Sequence, residues 1–184
     1  MRYLSSLLLV LAAALAIPVT ARAQQPSSTV VVLVRHAEKA ATPADDPPLT
    51  REGEARALAL WTTLRYSGVD AAITTNFART RMTAAPTIAE RGITPEVLQA
   101  RNPNHVQEVV AAIKRYSGHT VLVVGHSNTV PAIIAALGAE QPSNICDETY
   151  DDLFIVTLRD GRKPELVHGR YGAPSPVATC ASMK

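Results

Sequence analysis

Arg35 and His36 follow without a spacer on residues 29–34, a run made only of β-branched residues and leucine. So short and apolar a run reads as a strand buried on both faces. A guanidinium and an imidazole at its end sit where water is scarce and need negative charge nearby. His126 stands in the same relation to a second run, residues 120–125, and Arg79 follows shortly after a third, residues 70–75. In open α/β sheets ligands bind beyond the carboxyl ends of the strands, so Arg35, His36, Arg79 and His126 should meet in one crevice. A helix opening after His126 would add free N–H groups and the positive end of its dipole. Ser127 and Asn128, at that opening, are either caps or further anion contacts. Such a pocket suits a phosphate: the planar fork of arginine grips two oxygens and stays charged. Phosphoryl transfer needs little beyond fixed cations around the equatorial oxygens. One histidine serves as nucleophile if a hydrogen bond to its other ring nitrogen fixes the tautomer. That chemistry calls for no metal and no cofactor.

The elements that must position these groups can be read from spacing. The loop after the first strand carries Pro43, Pro47 and Pro48 and is not helical. Thr50 is a good N-cap for a helix with the stripe Ala57, Leu60, Trp61 and Leu64, ending near Gly68. The stripe places Trp61 in the core. A helix over about 79–91 contains Pro86, which should kink it or mark its true first turn. Residues 95–100 read as a third strand, and Asn104 caps a helix with the stripe Val106, Val109, Val110 and Ile113, leaving Glu108 on a solvated face. Pro131 falls in the first turn of the helix after His126 and Gly138 closes it. Residues 153–158 and 164–170, joined at Asp160-Gly161, read as a closing hairpin, with Asp151 and Asp152 as a solvated face. The acid-containing loop 139–152 has no periodicity, and loops that long tend to be functional or mobile. Four strand–helix alternations argue an α/β/α three-layer sandwich on a mainly parallel central sheet.

Residues 1–23 have a basic start, an apolar stretch and an Ala21-Arg22-Ala23 site, the pattern of a secretory signal peptide. The expectation is a single domain over 24–184, exported and periplasmic, with no membrane insertion after signal removal. The chain has 18 Lys+Arg against 16 Asp+Glu, and Arg2 and Arg22 would leave with the signal. The remainder is formally neutral, which removes nucleic acid as a partner. Cys146 and Cys180 are the two cysteines; export permits a disulfide between them, and two free thiols is the alternative.

Arg35-His36-Ala37-Glu38 resembles the R-H-G-E signature of the histidine phosphatase superfamily, the phosphoglycerate-mutase-like fold. Residues 75–84, TNFARTRMTA, resemble its second motif and align Arg79 with the second arginine, and Gly125-His126 resembles its late G-H. The resemblance implies that His36 attacks phosphorus and becomes phosphohistidine, that Arg35 and Arg79 clamp the phosphate, and that His126 binds and stabilises it. It implies phosphomonoester hydrolysis, with a small phosphorylated substrate or inorganic phosphate as partner. Glu38 would orient the loop. Ala37 stands where the family has glycine. The acid that many members carry after the third strand is missing from residues 99–104, QARNPN. The proton donor is then Asp147 or Glu148, Asp45 or Asp46, or none at all.

Two other readings compete. Residues 124–129, VGHSNT, nearly spell the G-x-S-x-G elbow of a serine hydrolase, with Ser127 as nucleophile and Asp151 or Asp160 paired to His168. That leaves Arg35, His36 and Arg79 without a task. A phosphate- or sugar-phosphate-binding protein that has lost turnover would account for the missing donor. His105, His119 and His168 are expected to be structural, and Arg81, on a different helix face from Arg79, a surface or rim residue.

Overall fold

Residues 31–34 alternate between two apolar layers. In the computed structural model, which describes residues 28–176, they belong to β1 (Thr29–Arg35). Val31 and Leu33 face one core cluster, and Val32 and Val34 face the other. These four buried side chains contribute on the order of 6–12 kcal/mol. That outweighs the several kcal/mol of desolvating the charge that follows at Arg35.

The remaining elements are α1 (Arg51–Leu64), β2 (Ala71–Thr75), α2 (Ala78–Arg91), β3 (Glu96–Leu98), α3 (His105–Arg115), β4 (Thr120–Gly125), α4 (Thr129–Ala136), β5 (Asp152–Leu158) and β6 (Glu165–Arg170). They form one sheet of order β3-β2-β4-β1-β5-β6. The first four strands are parallel, and β5 and β6 run antiparallel along one edge. Leu60 and Leu64 of α1 and Ala84 of α2 pack on one face. Val109 and Ile113 of α3 and Ile133 and Ile134 of α4 pack on the other. The three layers expected from strand–helix alternation are therefore present.

Two local features tie the first loop to α1. Thr50 Oγ1 accepts the Gly53 N–H at 3.2 Å, the N-cap read from sequence. A Cβ on Gly53 would lie 2.3 Å from the Glu38 carbonyl oxygen, so only glycine lets α1 approach this loop. The loop is also closed by an isolated bridge between Lys39 and Leu49.

Several expectations need correction. Pro86 lies inside α2 and does not mark its first turn; the helix already starts at Ala78. β3 is limited to three residues, fewer than the six expected. Trp61 is half-buried beside Leu58 and Met82 and sits outside the core. Asp151 and Asp152 are 2% and 7% exposed rather than a solvated face. Both oxygens of Asp151 accept from Arg170 at 2.9 Å, and Asp152 Oδ1 lies 2.8 Å from His168 Nε2. Opposite charges brought together by the hairpin register offset the burial.

Asn104 is the N-cap of α3 but makes no side-chain cap bond. Glu108 is half-buried and accepts from Asn102 Nδ2 at 2.5 Å, so it is no free surface carboxylate. Cys146 is not a free thiol; Cys180 and the signal-like residues 1–23 lie outside the described residues. No helix among the described residues is long and apolar enough to cross a membrane.

Candidate active site

Parallel pairing sets Arg35 at the end of β1 beside Gly125 at the end of β4. His36 continues the ladder, its N–H donating to the Gly125 carbonyl at 2.9 Å. The next residue of β4's chain, His126, is thereby delivered to the same crevice: the His36 and His126 rings lie 5.4 Å apart, edge to face. β2 ends beside β4, and the turn Asn76-Phe77 carries the chain into α2, whose second residue is Arg79.

Arg35 is 4% exposed. Its Nη1 donates to the carbonyls of Cys146 (2.7 Å), Asp147 (2.7 Å) and Thr149 (3.0 Å), and the Tyr150 ring covers the guanidinium at 4.3 Å. The aperiodic loop 139–152 thus folds over this arginine and orients it. Asp147 lies 3.8 Å from Nη2 and is itself well exposed.

His36 is equally buried. Its Nδ1 lies 2.8 Å from the Ala37 carbonyl, an acceptor only, so Nδ1 carries the hydrogen and Nε2 keeps its lone pair. Burial, with the cations Arg35 and Arg79 as lesser causes, pushes its pKa down to about 3. Neutral imidazole is the form able to attack an electrophile. Ala37 fills a small apolar cluster with Leu49 and Ala57, and its N–H donates to Thr83 Oγ1 at 2.9 Å. A methyl group is therefore accommodated where the resembling family has glycine.

His126 is held by its N–H to Thr129 Oγ1 (3.0 Å) and by Nε2 to Thr75 Oγ1 (3.3 Å). Burial, then the Arg79, His105 and Arg35 charges, lowers its pKa to about 4. Arg79 lies over Phe77, 4.0 Å from the ring centre. Burial lowers its pKa and Asp46 opposes this; Asp46 Oδ1 caps α2 by accepting the Ala78 N–H at 2.7 Å. The Nε atoms of Arg35 and Arg79 are both buried and bond to no protein atom. A buried donor without an acceptor is costly, and a tetrahedral oxyanion bound between the two guanidiniums would satisfy both.

All four expected groups therefore gather beyond the carboxyl ends of β1, β2 and β4, the His36 and His126 rings 5.4 Å apart and Arg35 and Arg79 near enough to act on His36 through their charge. Ser127 and Asn128 stand between His126 and α4; Asn128 occupies the N-cap without a side-chain cap bond, and Thr129 supplies the capping oxygen to His126. Among the donor candidates, Asp46 is engaged at the start of α2 and Asp147 borders Arg35. Glu148 acts on Arg35 through its charge, and Asp45 is exposed. The serine-hydrolase triad does not form: His168, on β6 and three strands from β4, about 14 Å of sheet, is paired to Asp152 of β5.

Glu38 grips Arg56 with both oxygens (2.7–3.0 Å), and Arg56 also donates to the Tyr171 and Ala173 carbonyls. It holds the loop after His36, as expected. Arg81 is exposed and donates to the Asn76 carbonyl; His119 pairs with Asp70. Thr75 and Phe77, from the motif-like stretch 75–84, and Tyr150 and Arg101, which had no signal of their own in the sequence, complete the surroundings. Among the described residues, no group of three or more His, Cys, Asp or Glu is arranged to hold a metal ion.

Comparison with known proteins agrees with this geometry. The family model described as histidine phosphatase superfamily (branch 1) matches residues 31–102. The SixA structure from Nakamurella multipartitia is 27% identical, with a TM-score of 0.58 over 81% of this chain and 100% of its own. The protein histidine phosphatase SixA complexed with tungstate is 23% identical, with a TM-score of 0.61 over 77% and 96%. SixA from Agrobacterium tumefaciens is 24% identical, with a TM-score of 0.55 over 79% and 98%. No curated protein matches the chain.

Proposed function

We propose that the chain is a member of the histidine phosphatase superfamily, whose model matches residues 31–102, and that it is a metal-independent phosphomonoesterase that works through a phosphohistidine on His36. The observation that carries this reading is the buried His36 ring: the Ala37 carbonyl fixes its tautomer, and it is flanked by two arginines whose Nε donors have no protein acceptor. Arg35 and Arg79 receive the phosphoryl oxygens, and Nε2 of His36 attacks phosphorus in line with the leaving oxygen. His126, neutral when the site is free of anion, donates a hydrogen bond and gains basicity as the dianion arrives. Ser127 and Asn128 offer additional polar contacts at the start of α4. The ester oxygen leaves with the bonding electron pair and takes a proton, from Asp147 or directly from water when it is a weak base. Water then attacks the phosphohistidine, releasing inorganic phosphate and restoring His36.

Residues 1–23 support placing this activity outside the cytoplasm, in the periplasm, on small phosphorylated molecules. The experiment is incubation of the full chain with para-nitrophenyl phosphate, followed by denaturing quench and analysis for acid-labile, base-stable phosphate on His36. His36→Ala should abolish both the adduct and turnover, and a chelator should leave activity unchanged. Turnover without an adduct, or turnover by His36→Ala, would overturn the mechanism. Activity lost to chelator and restored by zinc would make the histidines metal ligands.

A further inference from the structure

One ring in the site carries two cations. Phe77 stands between β2 and α2 with the guanidinium of Arg79 4.0 Å and that of Arg101 5.4 Å from its centre. The His126 ring meets the same phenyl edge-on at 5.6 Å. By the triangle inequality the two guanidinium carbons are no more than 9.4 Å apart. Neither arginine has a carboxylate oxygen within 4.0 Å among the described residues. A phenyl face compensates part of the repulsion between such neighbours; an anion spanning them would compensate the rest. Arg101 acts on Arg79 more strongly than Arg35 does, although Arg35 borders the same site. Arg101 follows β3, in the segment 99–104 that contains no acid to protonate a leaving group.

These two facts point the same way. A substrate whose leaving group is itself an anion satisfies Arg101, and a phosphate leaving group is a weak enough base to depart without a donor. We infer that Arg101 is a specificity-determining residue that binds the leaving phosphoryl group of a phosphoanhydride, so that the preferred substrates carry a terminal diphosphate. Within the phosphohistidine reading on which this rests, Arg35 and Arg79 hold the transferred phosphoryl group, and Arg101 holds its neighbour with N–H donors about 2.8 Å from its oxygens. His36 Nε2 forms the bond to the terminal phosphorus as the bridging P–O bond breaks. The bridging oxygen keeps the electron pair and leaves as part of a phosphate monoanion or dianion. Water then cleaves the P–N bond to give inorganic phosphate, the net reaction being hydrolysis of one anhydride bond.

The test is kcat/KM for inorganic pyrophosphate and for para-nitrophenyl phosphate, measured on wild type, Arg101→Ala and Arg101→Lys. Arg101→Ala should lower the pyrophosphate value at least tenfold while leaving para-nitrophenyl phosphate within threefold, and Arg101→Lys should recover part of the loss. Equal losses on both substrates would make Arg101 a general contributor to the field, and no loss on either would remove it from the site; both overturn the inference and leave the phosphatase reading standing. Absence of wild-type turnover on both substrates would overturn the phosphatase reading and this inference with it.

Discussion

Replacing His36 by asparagine should make the protein more resistant to acid, and the size of the effect follows from the burial of the ring. In the unfolded chain the imidazole titrates near its ordinary 6.5; in the fold it is held at about 3 by desolvation, with Arg35 and Arg79 adding repulsion. Between those values the unfolded chain binds a proton that the folded chain refuses, so stability falls as pH drops below about 6.5 and the loss levels off only below the folded value. For one such group the loss between pH 7 and pH 5 is about 2 kcal/mol. His126, lowered to about 4 for the same reasons, contributes a comparable ~2 kcal/mol over that interval. Both folded values lie below the interval, so both rings stay neutral in the fold throughout it and the two contributions add. Asparagine keeps an N–H that can donate to the Ala37 carbonyl but has no titration. Urea unfolding of His36→Asn at several pH values, followed by the fluorescence of the half-buried Trp61, should therefore show about 2 kcal/mol less destabilisation from pH 7 to pH 5 than wild type. Acid-sensitive carboxylates elsewhere cancel in the difference. Parallel stability curves for the two proteins would mean that His36 titrates normally in the fold and would refute its desolvation.

Other perturbations act on single contacts. Arg79→Lys should lower kcat/KM for para-nitrophenyl phosphate roughly 100-fold or more, because an ammonium cannot supply the two-pronged donor; near-normal kinetics would place Arg79 outside the pocket. Glu38→Gln should destabilise the fold by about 3 kcal/mol in urea, since Arg56 is buried and would lose its carboxylate, while activity per folded molecule changes less than tenfold. Gly53→Ala should cost about 1–3 kcal/mol through the clash with the Glu38 carbonyl, read as a lowered melting temperature. Arg35→Lys should release residues 146–149 as well as weaken phosphate binding, because a single ammonium cannot both meet the three carbonyls that Nη1 serves and present a second edge of donors to the anion; faster amide exchange across that loop is the measurement.

Arg35 therefore has two tasks. One edge of the guanidinium is committed to backbone carbonyls more than a hundred residues away in sequence, and its Nε remains without a protein acceptor. A side chain held this way loses little further freedom on binding an anion, the general benefit of preorganisation. The length of the aperiodic loop predicts a functional or mobile segment, with Asp147 and Glu148 among the donor candidates. Its backbone oxygens are what touch the arginine, with Tyr150 packed on top.

Strand-length apolar runs with abrupt polar ends were enough, in the sequence alone, to place Arg35, His36 and His126 together. Alternating burial on both faces of β1 and β4 demands a central position for each, and parallel neighbours deliver their carboxyl ends to the same edge of the sheet. Helix α1 and its Thr50 cap were legible for a similar reason, since local spacing and a local hydrogen bond specify them. The capping of α2 by Asp46, the clasp on Arg35, and the burial of Asp151 and Asp152 against Arg170 and His168 were decided only by the tertiary structure. Each depends on a partner supplied from far along the chain, and a carbonyl acceptor or a carboxylate looks the same in sequence whether solvent or an arginine will face it. Chain topology chooses between those outcomes, and with them it sets the tautomer, charge and exposure on which the chemistry of the crevice rests.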